Sequence, residues 1–199
     1  MPGVYIEASY DGHKAIPGTY RFTLKMGTQS AVTEAEIQPN PLYPTTASGY
    51  REYHAIMSQM ETDVTAMHKA VNSLYEKQKQ LEAIHAALPA GDKFAAVKRD
   101  ADALLKKMKA WDDAMVQRKA KAYDDVENFV NMFTANYLFL VNQTESDVPR
   151  VNQSSLDMLE KMNAEWTALR RRSEDILGTD LPALNKKLWD LGYGAIWKN

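Results

Sequence analysis

Apolar residues recur at steps of three and four along most of this chain, the spacing that places side chains on one face of an α-helix. The longest such stretch runs from Ser48 to Leu88 without a proline, and its only glycine is Gly49, at the start. At 1.5 Å per residue a helix of this length spans roughly 60 Å. Propensity alone does not stabilise such a helix, so partner helices are expected along its apolar stripe. The stripe comprises Tyr53, Ile56, Met60, Val64, Met67, Val71, Leu74, Leu81 and Leu88, with Gln78 and His85 as polar interruptions.

A second helix is predicted after the breaker Pro89-Ala90-Gly91, with Asp92 as its N-cap. Because the connection between the two helices is short, they are expected to form an antiparallel pair. The apolar stripe of the second helix comprises Phe94, Val97, Ala101, Leu104, Met108, Trp111 and Met115.

The next segment is apolar almost all round, which is typical of a buried helix. This third helix is expected to begin between Asp124 and Asn131 and to end near Asn142. Its apolar residues are Phe129, Val130, Met132, Phe133, Tyr137, Leu138, Phe139, Leu140 and Val141.

Two more helices are predicted in the last fifty residues. Asn152 or Ser154 caps the first of them, and Gly178 ends it in the C′ position. Thr179 or Asp180 caps the last, short helix. The stripe of the longer helix comprises Leu156, Leu159, Met162, Trp166, Leu169, Ser173 and Ile176, and that of the short helix comprises Leu181, Leu184, Leu188 and Leu191 beside Pro182 in its first turn.

The N-terminal segment follows a different pattern. Tyr20, Phe22 and Leu24 alternate with polar residues, the period of two expected of a half-buried strand. A second strand is predicted from Ala31 to Gln38 and a third from Val4 to Tyr10. Since so few strands make a poor independent domain, the sheet is expected either to pack on the helices or to belong to a larger β domain.

The sequence therefore predicts a mainly α fold with a small β part. An antiparallel hairpin or three-stranded sheet is followed by an antiparallel bundle of four long helices and a short one. Pro39-Asn40-Pro41 and Pro44 mark a linker, so the expected domains are a β segment at 1–41 and a helical bundle at 42–199.

Composition limits the classes of function. The 199 residues are 45% hydrophobic and 25% charged, ordinary values for a globular chain, and the net charge of -2 gives no argument for binding nucleic acid or an anionic membrane. The chain has no cysteine, which excludes a disulfide framework and a thiolate site. Tyr137–Val141, the most apolar run, is far shorter than the ~20 residues of a membrane span, and Met1–Tyr5 lacks the features of a signal peptide.

Four histidines are the first candidates for chemistry. His54 and His68 lie on one predicted helix face, but two heptads separate them by roughly 21 Å, which excludes a shared metal. His85 falls on the apolar stripe and His13 in a loop before a strand. No metal or catalytic role is predicted for any of the four, because ligand sets need several convergent groups.

The carboxylates occur in clusters on predicted polar helix faces among lysines. Paired carboxylates can hydrolyse glycosides when a cleft holds them ~5–10 Å apart, but solvated faces with i,i+4 ion pairs are the expectation here. The clusters are Glu61 with Asp63, Asp100 with Asp102, Asp112 with Asp113, and Asp124 with Asp125 and Glu127.

The remaining candidates also favour structural roles. Arg170-Arg171-Arg172 is a weak phosphate site and is expected on an exposed helix face. Trp111 and Trp166 are expected in the core, whereas Trp189 and Trp197 are kept as surface aromatics. No phosphate loop or hydrolase motif occurs, so no catalytic, cofactor-binding or metal-binding residue and no cofactor is predicted.

Several stretches resemble a known family. Pro17-Gly18-Thr19-Tyr20-Arg21-Phe22-Thr23-Leu24 and Glu36-Ile37-Gln38-Pro39-Asn40-Pro41 resemble the closing hairpin of an Ig-like domain that leads into long helices. The later stretches resemble the end of the same architecture, that of the bacterial sortilin-like BNR-repeat β-propeller proteins often labelled glycosyl hydrolases. They are Phe133-Thr134-Ala135-Asn136-Tyr137-Leu138-Phe139-Leu140-Val141, Ser146-Asp147-Val148-Pro149 and Asp180-Leu181-Pro182-Ala183-Leu184-Asn185.

The resemblance implies the C-terminal region of such a protein, after its propeller and sandwich. Asn40-Pro41-Leu42 replaces the family's Asp-Pro-Arg, and the propeller has no counterpart here, so no catalytic residue carries over. We therefore expect a non-catalytic scaffold or interaction module of a larger, periplasmic or secreted protein. Its expected partners are that protein's own propeller and sandwich domains or another chain, and neither nucleic acid nor a membrane span is expected. The alternatives are an accessory part of a sialidase-like glycoside hydrolase and a stand-alone helical partner-binding protein.

Overall fold

The computed structural model describes residues 12–43, 45–122, 125, 127–147 and 149–194. Two strands precede the helices, so the predicted mainly α fold with a small β part is confirmed. The elements are β1 (Gly18–Met26), β2 (Gln29–Ile37), α1 (Ala47–Ala87), α2 (Asp92–Met115), α3 (Phe133–Glu145), α4 (Gln153–Asp175) and α5 (Leu181–Asp190).

The described residues fall into two compact units. Residues 64–138 and 160–194 form one, here called the helical unit. Residues 12–63 and 139–159 form the other, here called the hairpin unit. The division into domains expected at 1–41 and 42–199 stays a prediction.

The strands β1 and β2 form an antiparallel hairpin. Its register runs from Gly18 opposite Ile37 to Met26 opposite Gln29, and Gly27 occupies the turn with a φ of 60°. A positive φ is easily adopted only by glycine, which explains this residue at the turn. The third strand predicted from Val4 to Tyr10 lies outside the described residues.

The hairpin is far more exposed than a half-buried strand. Phe22, Leu24 and Met26 are exposed by 53%, 73% and 70%, and only Tyr20 of the apolar set on β1 is partly covered. The strand predicted from this alternation is confirmed. Its predicted half-burial is wrong, because no described element covers the apolar face.

Helix α1 runs without a break along the predicted apolar stripe. The Thr46 hydroxyl accepts a hydrogen bond of 3.2 Å from the Gly49 backbone N–H, so Thr46 is the N-cap of this helix. Met57 is buried, whereas Ile56 and Val64 are only partly covered. The buried apolar residues of the helix are Tyr50, Tyr53, Met57, Met60, Met67, Val71, Leu74 and Leu81.

In the helical unit the last part of α1 pairs with α2 in the antiparallel sense that the short connection predicted. Close to the connection, His85 Nε2 lies 3.1 Å from Asp102 Oδ1. Farther from it, the guanidinium of Arg118, just after the end of α2, lies 3.9 Å from the centre of the Tyr75 ring. The first of these is an ion-pair contact without hydrogen-bond geometry. Asp92 is not the cap that was predicted: it lies in the first turn of α2, and Gly91 with a φ of 124° precedes the helix.

Helix α3 begins later than predicted, at Phe133 instead of between Asp124 and Asn131. Only one face is buried, so all-round burial was also wrong: Phe139 is 63% exposed. The Thr134 hydroxyl donates a hydrogen bond of 2.7 Å to the backbone carbonyl of Met115, which satisfies an end group of α2. The buried face comprises Phe133, Thr134, Tyr137, Leu140 and Thr144.

Helix α4 continues through a π turn at Ile176–Asp180 into α5. The backbone angles of Asp180 are helical, and Gly178 has no positive φ, so the predicted helix end at Gly178 is wrong. Pro182 explains the π turn, because its ring lacks an N–H and crowds the carbonyl four residues earlier, and a wider turn relieves both. The predicted cap Asn152 is confirmed by a 2.8 Å hydrogen bond from the Ser155 backbone N–H.

Candidate functional site

In the hairpin unit a row of three hydrogen-bonded side chains joins the segment before β1 to α1. His13 Nδ1 lies 2.9 Å from Glu61 Oε1, and the His13 backbone N–H donates to the same oxygen at 2.8 Å. The other ring nitrogen of His13, Nε2, lies 2.7 Å from His54 Nδ1. His54 and Glu61 are two helical turns apart on α1, so both reach one loop residue from the same side. We call His13, His54 and Glu61 the histidine cluster.

Hydrogen bonds from His13 control the charge of Glu61 in the histidine cluster. Burial alone would raise the pKa of Glu61, but hydrogen bonds from the side chain and backbone of His13 outweigh it and hold that pKa below its usual value. The Glu61 carboxylate accepts both contacts from His13, whereas the donor in the contact between the two imidazole rings depends on their tautomers. The cluster is thus a chain of hydrogen bonds that ends on the exposed ring of His54.

Tyr53 borders the cluster and is itself almost fully buried. Its ring meets the His13 ring edge-on, with centroids 6.0 Å apart, and its hydroxyl donates to the Glu145 carbonyl at 3.3 Å. Burial, then the negative charges of Glu145, Glu61 and Asp147, raise the pKa of Tyr53 to about 12. Tyr53 is therefore a protonated donor that packs the cluster against its unit.

A cleft of about 460 Å³ opens beside Tyr53 in the same unit. It places one acid, Glu52, and one base, Arg150, among neutral polar and apolar groups, so its charges balance and favour no class of ion. Its lining residues are Gly49, Glu52, Tyr53, Arg150, Val151, Asn152, Gln153 and Leu156.

The second feature of the hairpin unit is the apolar face of the hairpin. Alternation and register put the apolar side chains on one face and most polar ones on the other. The apolar face comprises Tyr20, Phe22, Leu24, Met26, Ala31, Ala35 and Ile37, with Thr33 and Gln29; the opposite face comprises Thr19, Arg21, Thr23, Lys25, Ser30, Val32, Glu34 and Glu36.

The helical unit has a groove between α2 and the π turn. It measures about 540 Å³, and the Lys107 ammonium forms an ion pair of 2.8 Å with Asp180 at its wall. The other cations, Lys106 and Arg172, face it together with Asp175, so the groove also has a mixed charge. Its lining residues are Ala103, Lys106, Lys107, Ala110, Arg172, Asp175, Ile176 and Asp180.

A mostly buried ion pair joins Asp112 to Arg118 in the helical unit. Both guanidinium contacts reach the Asp112 carboxylate, and this bonding raises the pKa of Arg118 above its usual value. Val116, in an extended conformation at the end of α2, turns the chain so that Arg118 returns over the helix. The solvated face predicted for Asp112 is therefore wrong, since this residue is only 4% exposed.

Other carboxylates of the predicted clusters are bound in contacts within one helix or between two helices. The solvated i,i+4 pairing predicted for them is found for Asp113 with Lys109, at 3.3 Å. Asp125 accepts hydrogen bonds from the backbone of Lys121 and Ala122, which lower its pKa. Further contacts are Asp63 with Gln59, Asp100 with Lys187 and Asp102 with His85, and Asp124 lies outside the described residues.

The aromatic and basic candidates occupy the expected kinds of position. Trp111 and Trp166 are buried, Trp189 is 72% exposed, and Trp197 lies outside the described residues. The arginine run at 170–172 is exposed, and Arg170 pairs with Glu174 one turn later.

Sequence reasoning missed the histidine cluster because His13 and Glu61 are far apart along the chain. Within the described ranges, no three or more His, Cys, Asp or Glu side chains converge in a way that could hold a metal ion. None of the described helices combines the length and apolar character that crossing a membrane requires.

Comparison with protein-family models, with curated proteins and with solved structures found no match.

Proposed function

We propose that this chain is a non-catalytic scaffold and interaction module whose hairpin packs its apolar face on a β-sheet of the same, larger polypeptide. One observation carries the proposal: Phe22, Leu24 and Met26 are all more than half exposed on one face of the hairpin. Burying a side chain of this kind is worth about 1.5–3 kcal/mol, so covering three of them offers a large driving force for docking.

The backbone of the hairpin supports a β-structured partner. A two-stranded ribbon is marginally stable in water and gains from further strands or from a packed second layer. Each strand also has an outer edge that no described strand pairs with, and such edges pair readily with strands of another sheet. The face and the edges together favour a sheet as the covering surface.

The resemblance described above names a candidate for that sheet. In the bacterial sortilin-like BNR-repeat proteins, helices follow an Ig-like sandwich, and the hairpin would complete the sandwich. A periplasmic or secreted location belongs to this proposal and rests on the resemblance alone. The non-catalytic part of the proposal fails if the purified chain hydrolyses any glycoside, which would favour the role of a hydrolase part.

The test is photo-crosslinking in the source cells with the native, full-length polypeptide. A photo-reactive amino acid replaces Leu24 on the apolar face, and a matched variant carries it in place of Thr23 on the polar face. We expect crosslinks from position 24, and few from position 23, to peptides of a β domain in the same polypeptide.

The same experiment gives the mass of the native polypeptide, which is expected to exceed 22.5 kDa several times. A native mass of 22.5 kDa, or equal crosslinking from both positions, would contradict the proposal. Crosslinks to a second copy of this chain would replace the intramolecular partner by a homodimer.

A further inference from the structure

We propose that His13 and His54 form a pH-dependent link between the segment before β1 and α1, and that this link opens in mild acid, when both rings are protonated. The link lies within the hairpin unit and does not depend on what covers the apolar face of the hairpin. It consists of the two facing imidazoles and the carboxylate of Glu61.

The contact between the two rings has room for one proton. His13 Nε2 and His54 Nδ1 are 2.7 Å apart, which is a hydrogen-bond distance, so one nitrogen donates and the other accepts. A neutral imidazole has one N–H and one lone pair, whereas a protonated imidazole has two N–H groups and no lone pair. The bond therefore survives when one ring is protonated. It is lost when both are protonated, because two N–H groups and two positive charges then face each other.

Glu61 supplies the opposite charge for the first added proton. Its Oε1 lies 2.9 Å from His13 Nδ1 and accepts the His13 backbone N–H at 2.8 Å. Burial would raise the pKa of Glu61, but the hydrogen bonds from His13 outweigh it and lower that pKa. The carboxylate thus stays ionised in mild acid, where imidazoles take up protons. One protonated ring makes the cluster neutral overall, and a second adds an uncompensated positive charge. The acid effect therefore comes from the rings, since the bonds to Glu61 are lost only at lower pH.

The other titratable and charged groups near the cluster, among the described residues, do not reverse this order of events. Burial and nearby carboxylates raise the pKa of Tyr53 to about 12, so this neighbour of His13 stays neutral. Glu145 at the end of α3 and Asp147 after it bring negative charge to Tyr53. Negative charge favours protonation of nearby rings, so it moves the opening towards neutral pH. Lys14 is exposed, and water screens its charge.

Opening weakens the attachment of the segment that leads into β1. The His13 side chain is only 9% exposed, whereas His54 is exposed, so His54 is the ring that can turn away into water. Of the two side chains of α1 that bond to the His13 ring, only Glu61 then remains. The Tyr20 hydroxyl donates a hydrogen bond of 2.7 Å to the Ile16 carbonyl, which ties this segment to β1. The loss is thus passed on to the first strand of the hairpin.

The first test is NMR of the histidine rings in the full chain, titrated from about pH 8 to about pH 4.5. We expect His13 and His54 to take up protons in two separate, coupled steps, with the proton between the facing nitrogens lost in the second. His54→Ala should leave a single step at His13. His68 is the internal control and should show a single step throughout, because it is an exposed histidine of the same helix outside the cluster.

Hydrogen exchange then measures the release of the segment. After correction for the intrinsic effect of pH, the His13 amide should exchange about tenfold faster at about pH 5 than at about pH 7, while amides of α2 keep their protection. His54→Ala should show the faster exchange already near neutral pH, with little further change in acid, and His68→Ala should behave as wild type. Far-UV circular dichroism checks that each variant is folded. Independent single steps at His13 and His54, a proton still shared when both rings are protonated, or equal protection of the His13 amide at both pH values would overturn the proposal.

Discussion

The indole N–H of Trp111 donates a hydrogen bond of 2.7 Å to the backbone carbonyl of Leu169, which ties α2 to α4 within the helical unit. Trp166 is buried in the same unit and stacks on Phe133, with ring centroids 6.3 Å apart and planes 19° from parallel. Its indole N–H has no hydrogen-bond partner among the described residues. Two buried tryptophans of the same unit thus differ in whether the indole N–H forms a hydrogen bond within the described residues.

This difference predicts unequal costs for the same substitution. Trp111→Phe removes ring volume and a buried hydrogen bond, whereas Trp166→Phe removes the volume together with an unsatisfied donor. We expect Trp111→Phe to lower the free energy of unfolding by about 1 kcal/mol more than Trp166→Phe. Urea unfolding of both variants measures this difference. Equal costs, or the reverse order, would mean that the indole bond adds no stability.

Gly178 offers a stabilising substitution. It lies in the π turn without a positive φ, and a Cβ built on it meets no atom within 4 Å. Glycine inside a helix costs about 0.5–1 kcal/mol relative to alanine, so Gly178→Ala should raise the free energy of unfolding by about that amount. Thermal unfolding should show a higher midpoint.

Gly91→Ala is the control for that experiment. Space is open around this residue as well, but its φ of 124° is one that alanine rarely adopts. The variant should therefore be destabilised although it differs from wild type by the same methyl group. If Gly178→Ala also destabilises the protein, then the π turn requires glycine at this position for a reason other than a positive φ.

The periodic part of the fold was predictable from sequence. Leu74 and Met108 lie at steps of three and four, and both are fully buried. The burial of such positions follows from helix periodicity, because an apolar helix face is buried whichever element packs against it. Helix ends were less predictable: Gly178 is a common helix terminator, but here Pro182 is accommodated by a π turn and the helix goes on.

The candidate sites depend on contacts that periodicity does not encode. His13 meets Glu61 across 48 residues, and neither position differs in pattern from its neighbours. Asp112 is six residues before Arg118, but their pairing depends on α2 ending at Met115 so that the chain turns back. The half-burial predicted for the hairpin face was wrong because it too depends on distant contacts. Alternation shows that one face of a strand is apolar, but it does not show what covers that face.

Leu74 tests the apolar stripe of α1 directly. It is fully buried, so Leu74→Ala should lower the free energy of unfolding by about 2–5 kcal/mol through lost burial and the cavity left behind. Leu24→Ala is the control, because Leu24 is 73% exposed and should cost less than about 0.5 kcal/mol. Chemical denaturation of both variants measures the costs. A small cost at Leu74 would contradict the pairing of α1 with the other helices of its unit.

The neighbours Asp112 and Asp113 make a sharp test of buried against exposed ion pairs. The Asp112 side chain is 6% exposed and binds Arg118, whereas the Asp113 side chain is 58% exposed and pairs with Lys109. Asp112→Ala leaves the Arg118 charge without its partner and should cost about 3 kcal/mol. Asp113→Ala should cost less than about 0.5 kcal/mol, because water screens the exposed pair.

Salt separates the Asp112 and Asp113 effects further. The cost of Asp112→Ala should persist in 1 M salt, where the Debye length is about 3 Å, since water and ions do not reach the buried carboxylate, and the small cost of Asp113→Ala should vanish. Urea unfolding at low and high salt gives all four values. If Asp112→Ala costs no more than Asp113→Ala, then Arg118 finds another partner or water when Asp112 is lost. The return of the chain over α2 would then depend on the 3.9 Å contact of Arg118 with the Tyr75 ring rather than on the ion pair.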